Sequence, residues 1–415
     1  MCTDNLKKLS IPALAVLLLM AAASQAMLIH YWPFNLPNPL RNEGRGGAGF
    51  PPHDARLVDF HPLYVPPTLV AGRLGRAYDL GTGQNSNILV GGNNISGYTT
   101  AHMDGTLPGT PITVSLWFRP HALPDQAVRQ FLFSNMQSGG NQDRFFITLF
   151  TPNIEGAPSG VTFSVGNTHD FEWHLTPPAS HTVVPGTWNH VMMSVRHLGW
   201  GQGSQVVYTL NGGPARTVTA NTLFNPPVFD RSNKRIGTNG NTLETGKTAR
   251  AIFDDMAIWS EILPQGATGF NAAQFIWNGG AGRPANVACG RVGYDPIPAD
   301  KSVGNAGLTQ LQWSNSLRLA HRVDVYFSTS LDDLIQLQDA GNPAVNRNIP
   351  LTPAGRRIAT NLAVTPGSLS TLPITLPAGE DFYWRVDTRS SNPADPNTYH
   401  GPVWKFSAGN APPQV

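Results

Sequence analysis

Short runs in which apolar and polar residues alternate with period two, each bounded by glycine or proline, recur along almost the whole chain. This pattern constrains the fold more than any other feature. Leu28, His30, Trp32 and Phe34 alternate in LIHYWPF, and Ile112, Val114, Leu116 and Phe118 in ITVSLWF. Phe146, Thr148 and Phe150 follow in RFFITLF, then Val191, Met193 and Val195, then Val206, Tyr208 and Leu210 ahead of Asn211-Gly212. Phe253 to Trp259 closes the series. A period of two puts one side of a strand on a core and the other toward solvent, and Asn-Gly favours a tight hairpin turn. With 42 glycines and 36 prolines in 415 residues and only 13% charged residues, long charged helices are excluded. Only Phe270 to Trp277 reads as helical, and it is short.

Charge and cysteine usage narrow the function classes. The formal net charge is +2, and no basic run exists, so nothing points to nucleic acid. Two cysteines, Cys2 and Cys289, cannot build a disulfide scaffold or a thiolate metal cluster. At the N-terminus Lys7 and Lys8 precede an apolar run from Ile11 to Ala23, and Ser24 and Ala26 stand at the −3 and −1 positions of a cleavage site before Met27. This is the pattern of a secretory signal peptide. As a helix the run extends roughly 20 Å, too short for a bilayer core of about 30 Å. No later segment is apolar enough to span a membrane. The sequence thus predicts a secreted protein, extracellular or at the cell surface.

The expected organisation is a signal peptide (1–26), a β domain (27–282), a linker (283–295), a smaller β domain (296–409) and a tail (410–415). The linker is where apolar alternation lapses. Beyond it LTQLQW, HRVDVYFS, DFYWRVDT and PVWKFSA are four clear strands, with weaker ones around Ile358 and Leu372. The fold class expected is all-β: a two-sheet jelly roll followed by an immunoglobulin-like sandwich.

HYWPFN, GRLGRAYDLG, ITVSLWFRP, GTWNHVMMSV, YTLNGG, RIGTNG and FDDMAIWSEIL occur in that order over nearly all of residues 27–282. As an ordered set they resemble the laminin-G-like, concanavalin A-like jelly roll common in secreted bacterial proteins. LQWS, VDVYFSTS, DFYWRVDT and GPVWKFSA resemble a fibronectin type III-like module. In that family a tyrosine usually stands where this chain has Phe382. The resemblance implies a binding or adhesion protein, though the jelly roll also occurs in glycosidases.

Several residues carry candidate chemistry. Thr168-His169-Asp170-Phe171-Glu172-Trp173 approaches the Glu-x-Asp-x-Glu strand of retaining glucanases of this fold, but Thr168 stands where the nucleophile belongs. A hydroxyl with no adjacent base does not replace a carboxylate. Asp170, Glu172 and His174 then form either a solvated strand face or a polar ligand-binding face. Asn241 to Thr248 only approximates a phosphate loop and reads as a hairpin turn. Asp254 in FDDMAIW shares a face with Met256 and Ile258, so it is expected buried, held by backbone N–H groups or an arginine, with calcium as the sharper reading. Asp255 is expected exposed. Trp200, flanked by Gly199 and Gly201 at a hairpin apex, either folds back onto the sandwich or is a stacking platform for a sugar or a partner's apolar patch. The sequence reading is a secreted non-enzymatic protein that binds carbohydrate or an extracellular or cell-surface protein. The alternatives are a glycoside hydrolase or lyase of concanavalin A-like fold, or a purely structural extracellular module.

Overall fold

The structure, a computed structural model, describes residues 28–34, 38–40, 42, 54–57, 64–83, 86–91, 111–125, 128–136, 145–151, 160–165, 182–198, 202–220, 233–238, 247–259, 262–263, 272–285, 293–300, 302–305, 307–315, 321–330, 355–376, 381–390, 398–399, 401 and 403–408. The chain divides into two compact units, Met1–Arg283 and Pro284–Val415.

The first unit is built from two antiparallel sheets, consistent with a jelly roll. The larger contains β1 (Leu28–Trp32), β2 (Thr68–Ala71), β3 (Arg76–Asp79), β5 (Ile112–Pro120), β9 (Asn189–His197), β10 (Ser204–Leu210), β11 (Arg216–Ala220) and β13 (Ala251–Trp259). Its order is β11-β10-β9-β5-β13-β3-β2, with β1 also on β13. The smaller contains β4 (Ile88–Gly91), β6 (Arg129–Met136), β7 (Phe145–Phe150), β8 (Gly160–Val165) and β12 (Asn233–Ile236), in the order β4-β12-β6-β7-β8. Both sheets contribute one face to the core. Ile112, Val114, Leu116 and Phe118 of β5 and Val191, Met193 and Val195 of β9 belong to it from one side. Phe133, Ile147, Leu149 and Ile236 belong to it from the other. Each such side chain contributes about 1.5–3 kcal/mol by leaving water.

The alternation in the sequence expects the other face of β5 to meet solvent, but all of Ile112–Phe118 is buried. The outward residues Thr113, Ser115 and Trp117 are 0% exposed. Leu263 reaches this face through its N–H to Thr113 Oγ1, and α1 (Ala272–Trp277) lays Trp277 on Trp117. The described helix lies within the Phe270–Trp277 expected, and its role is to cover a second sheet face.

The second unit holds a three-stranded sheet, β14 (Tyr294–Ile297), β15 (Gln310–Ser314) and β18 (Leu369–Pro373). A five-stranded sheet is formed by β16 (His321–Ser328), β17 (Gly355–Val364), β19 (Asp381–Ser390), β20 (Thr398–Tyr399) and β21 (Trp404–Ser407). All its strand pairs are antiparallel. Leu311, Trp313, Val323, Val325, Phe382, Trp384, Val386, Trp404 and Phe406 form its core. Phe382 lies against Phe327 and Phe406, with ring centroids 5.2 and 5.4 Å away.

Candidate functional site

Around Asp254 the sequence expectation fails in an instructive way. Phe253 faces the core, but so do Met256 and Ile258, so the strand changes phase between them. The pairing of β13 with β5 slips between Asp254 and Ala257, and Asp255 adopts φ 46°. One extra residue is absorbed in a β-bulge, and strict alternation does not survive it. Asp254 and Asp255 are therefore both buried, each 0% exposed. The expected exposure of Asp255 is wrong for this reason. Its Oδ1 accepts the Tyr31 hydroxyl at 2.6 Å.

Asp254 anchors the β2–β3 turn. Its Oδ2 accepts the Leu74 N–H at 2.8 Å, inside a turn closed by Gly72 N–H to Gly75 O at 2.8 Å. A Cβ at Gly72 would stand 2.5 Å from Asp254 Oδ2, so only glycine lets this carboxylate approach. Thus GRLGRAYDLG, through Gly72 and Leu74, and FDDMAIW, through Asp254, are two halves of one contact, with Leu74 and Asp254 180 residues apart in sequence. A backbone N–H donor set suits a structural carboxylate rather than calcium, which takes six to eight oxygens. Among the described residues no group of three His, Cys, Asp or Glu side chains is placed to hold a metal ion.

GTWNHV and YTLNGG also meet. Asn211 (φ 53°) and Gly212 (φ 65°) form the tight turn, closed by Gly213 N–H to Leu210 O at 3.0 Å. Both central residues have positive φ, which Asn-Gly tolerates. Asn211 then ties the turn to β9: its Oδ1 accepts His190 N–H at 2.9 Å and its Nδ2 donates to Asn189 Oδ1 at 3.1 Å. His190 Nε2 shares a hydrogen bond of 2.8 Å with Ser115 Oγ, and the ring lies 5.1 Å from that of Trp117. Burial pushes the His190 pKa down to about 3, so the ring is neutral at ordinary pH. Sealed beneath Trp117 and α1, it is a structural residue. Gly212 lies under Trp277, where a Cβ would come within 2.7 Å.

Other charged groups were not singled out by sequence reasoning. Asp79 Oδ1 accepts Gly81 N–H at 2.6 Å and meets His121 Nε2 at 2.7 Å. Arg235, buried in β12, donates to Asn87 Oδ1 at 3.1 Å, and burial lowers its pKa to about 10. In the second unit Arg385 forms an ion pair with Asp387, Nη2 donating to Oδ2 at 3.1 Å and Nε lying 3.0 Å from Oδ1, and lies over the Tyr326 ring, while Arg389 pairs with Asp324. Charged residues on a period-two strand read as solvent-facing, so the sequence carries no signal that these are buried.

The remaining candidates lie in connections. Thr168, Asp170, Glu172 and His174 fall between β8 and Thr182, outside the described residues. Trp200 is likewise outside them, in the β9–β10 connection. That hairpin is described on both sides: His197 pairs with Ser204, and Leu198 N–H donates to Gly203 O at 2.9 Å.

A two-sheet antiparallel unit of this kind is consistent with a jelly roll. Residues 91–266 match the laminin-G-type family model described as the concanavalin A-like lectin/glucanases superfamily. No curated protein matches the chain. Among solved structures, it is similar to the binding domain of Paraclostridial Mosquitocidal Protein 1, at 11% identity over 91% of each chain and a TM-score of 0.40. Similarity to the Botulinum neurotoxin serotype D binding domain is 12% identity over 72% of this chain, with a TM-score of 0.39. That match spans only 56% of the neurotoxin chain. An alginate lyase in complex with alginate tetrasaccharide is similar at 11% identity, covering 45% of this chain and 80% of that one, with a TM-score of 0.31. The neighbours thus include both binding domains and a glycan-active enzyme.

Proposed function

We propose that this chain is an exported, non-enzymatic binding protein whose concanavalin A-like unit recognises glycan or an extracellular partner through its loops, with Trp200 as the stacking residue. In this reading residues 1–26 are removed as a signal peptide, and the second unit is a fibronectin type III-like sandwich acting as spacer or second contact. One observation carries the reading. The strand carboxylates described in the first unit, Asp79, Asp254 and Asp255, are each engaged in holding the scaffold, by a turn N–H or a tyrosine hydroxyl. Retaining hydrolysis needs two carboxylates about 5–5.5 Å apart and free to reach a sugar. A binding loop needs only a ring, shape and a few polar groups.

The test is a glycan array probed with the secreted chain and with Trp200→Ala, alongside reducing-sugar detection on β-glucans. Binding weakened by Trp200→Ala, with no turnover, supports the proposal. Turnover abolished by Glu172→Gln overturns it in favour of a glycoside hydrolase. Mass spectrometry of the exported chain checks whether it begins at Met27.

A further inference from the structure

The three-stranded sheet of the second unit has an outer face that mixes polar and apolar groups. Leu311 and Trp313 of β15 point into the core, so Gln310, Gln312 and Ser314 point out. Thr371 lies opposite Gln312 and Leu369 opposite Ser314 on β18, while Ile297 lies opposite Gln312 and Tyr294 opposite Ser314 on β14. Ile297 is 49% exposed and Leu369 57% exposed. Gln310 and Thr371 are exposed, and Tyr294 and Gln312 half-buried. Three strands thus present amide, hydroxyl, aliphatic and one aromatic group side by side. Asp295, on the β14 bulge, is the one charged residue in all three.

We propose that this face binds an uncharged polysaccharide, as a glycan site separate from the loops of the first unit. Two considerations select the occupant. First, the one charge beside the face, the exposed Asp295, is negative and repels an acidic glycan, while the glutamine amides and threonine hydroxyl both donate and accept, as sugar hydroxyls do. Second, size excludes a second copy of the chain as a stable partner. Strands about 4.8 Å apart and rising about 3.3 Å per residue give a patch roughly 10–15 Å across and roughly 15 Å long. A specific protein interface buries about 800 Å² per partner, several times more. A patch of this size covers a few sugar rings, which lie flat on a pleated sheet with their apolar faces on Tyr294, Ile297 and Leu369.

Affinity electrophoresis of the full chain through gels holding hydroxyethyl cellulose, xylan, laminarin or polygalacturonate tests this. The expected result is retardation by at least one of the three neutral polymers, weakened about tenfold by the double variant Gln312→Ala/Thr371→Ala, which removes two outward hydrogen-bonding groups. Tyr294→Ala should weaken it as well. Both variants change outward side chains, and near-UV circular dichroism of the Trp313–Trp384 core checks that the unit stays folded. In a Trp200→Ala background, which removes the proposed loop contact, the remaining neutral-polymer retardation should still be weakened by the double variant, which separates this face from the loop site. Retardation by polygalacturonate alone, or neutral-polymer binding untouched by the double variant, overturns the proposal. So does concentration-dependent dimerisation that the double variant abolishes, since the face would then belong to a second copy.

Discussion

The two units bury carboxylates by different means. In the first, Asp254 and Asp255 sit in a bulge and are met by a backbone N–H and a tyrosine hydroxyl. In the second, Asp324 and Asp387 stand directly opposite each other on β16 and β19, both 1% exposed. Two like charges so placed repel each other. Arg389 meets Asp324 and Arg385 pairs with Asp387, while the Asn361 and Gly401 N–H groups add 2.8 and 3.2 Å hydrogen bonds. Neutral donors let the first unit hold charge through backbone geometry, so its sensitivity lies in glycine and the bulge. Ionic partners let the second hold it through side chains, so its sensitivity lies in balance: removing one partner leaves the other buried and uncompensated.

The largest expected effect tests that balance. Asp387→Asn should destabilise the second unit by about 3–5 kcal/mol, because Arg385 keeps its charge and loses its ion pair. Replacing both, as Arg385→Met with Asp387→Leu, should cost clearly less than the single change. Urea melts of the two variants compare them. A double variant as damaged as the single would show that the pair acts through something other than charge compensation.

Next come the bulge carboxylates. Asp254→Ala and Asp255→Ala should each cost about 1–3 kcal/mol, the first by removing the buried acceptor of the Leu74 N–H and the second that of the Tyr31 hydroxyl. Tyr31→Phe should make a subsequent Asp255→Ala change cheaper, and a double-mutant cycle reads that coupling. Near-neutral behaviour of Asp255→Ala would mean that its buried hydrogen bond contributes nothing.

His190 is a third solution, a buried ionisable group kept neutral. Its folded pKa of about 3 lies below the ordinary 6.5. The unfolded chain therefore binds more protons between these values, and stability is lost as pH falls through this window. The slope approaches about 1.4 kcal/mol per pH unit for this one group. His190→Gln should flatten that part of the pH–stability curve. An unchanged slope would exclude His190 as its source.

The smallest effect belongs to an exposed ion pair. Lys405 and Asp381 meet at 2.6 Å but are 41% and 48% exposed. The Asp381 contact raises the Lys405 pKa, yet solvent screens such a pair. Lys405→Met should change stability by about 0–1 kcal/mol, as thermal melts at low and high salt can show.

Much of the scaffold was legible because it is local. Period two marked 112–118, 146–150, 191–195, 206–210 and 253–259, which lie within β5, β7, β9, β10 and β13, and Asn211-Gly212 marked a tight turn from two residues alone. The clear and weak runs after residue 300 likewise became β15 to β19 and β21. Residues of the ordered motifs proved to brace one another: Gly72 with Asp254, and Asn211 with Asn189 and His190. These contacts account for the jelly-roll likeness without specifying a ligand.

What the sequence by itself determined is an all-β chain with turns at its glycines, because side-chain alternation and backbone freedom are properties of neighbouring residues. What only the tertiary structure decided is which faces are covered and where the alternation breaks. The outward side of β5 is sealed by Leu263 and by Trp277 of α1, more than a hundred residues away. The bulge at Asp254–Asp255 depends on partners offered by β1 and the β2–β3 turn. Arg385 and Asp324 read as solvated residues of period-two strands until β16 and β19 are paired. Burial of a charge is a relation between distant segments, and local spacing does not encode it.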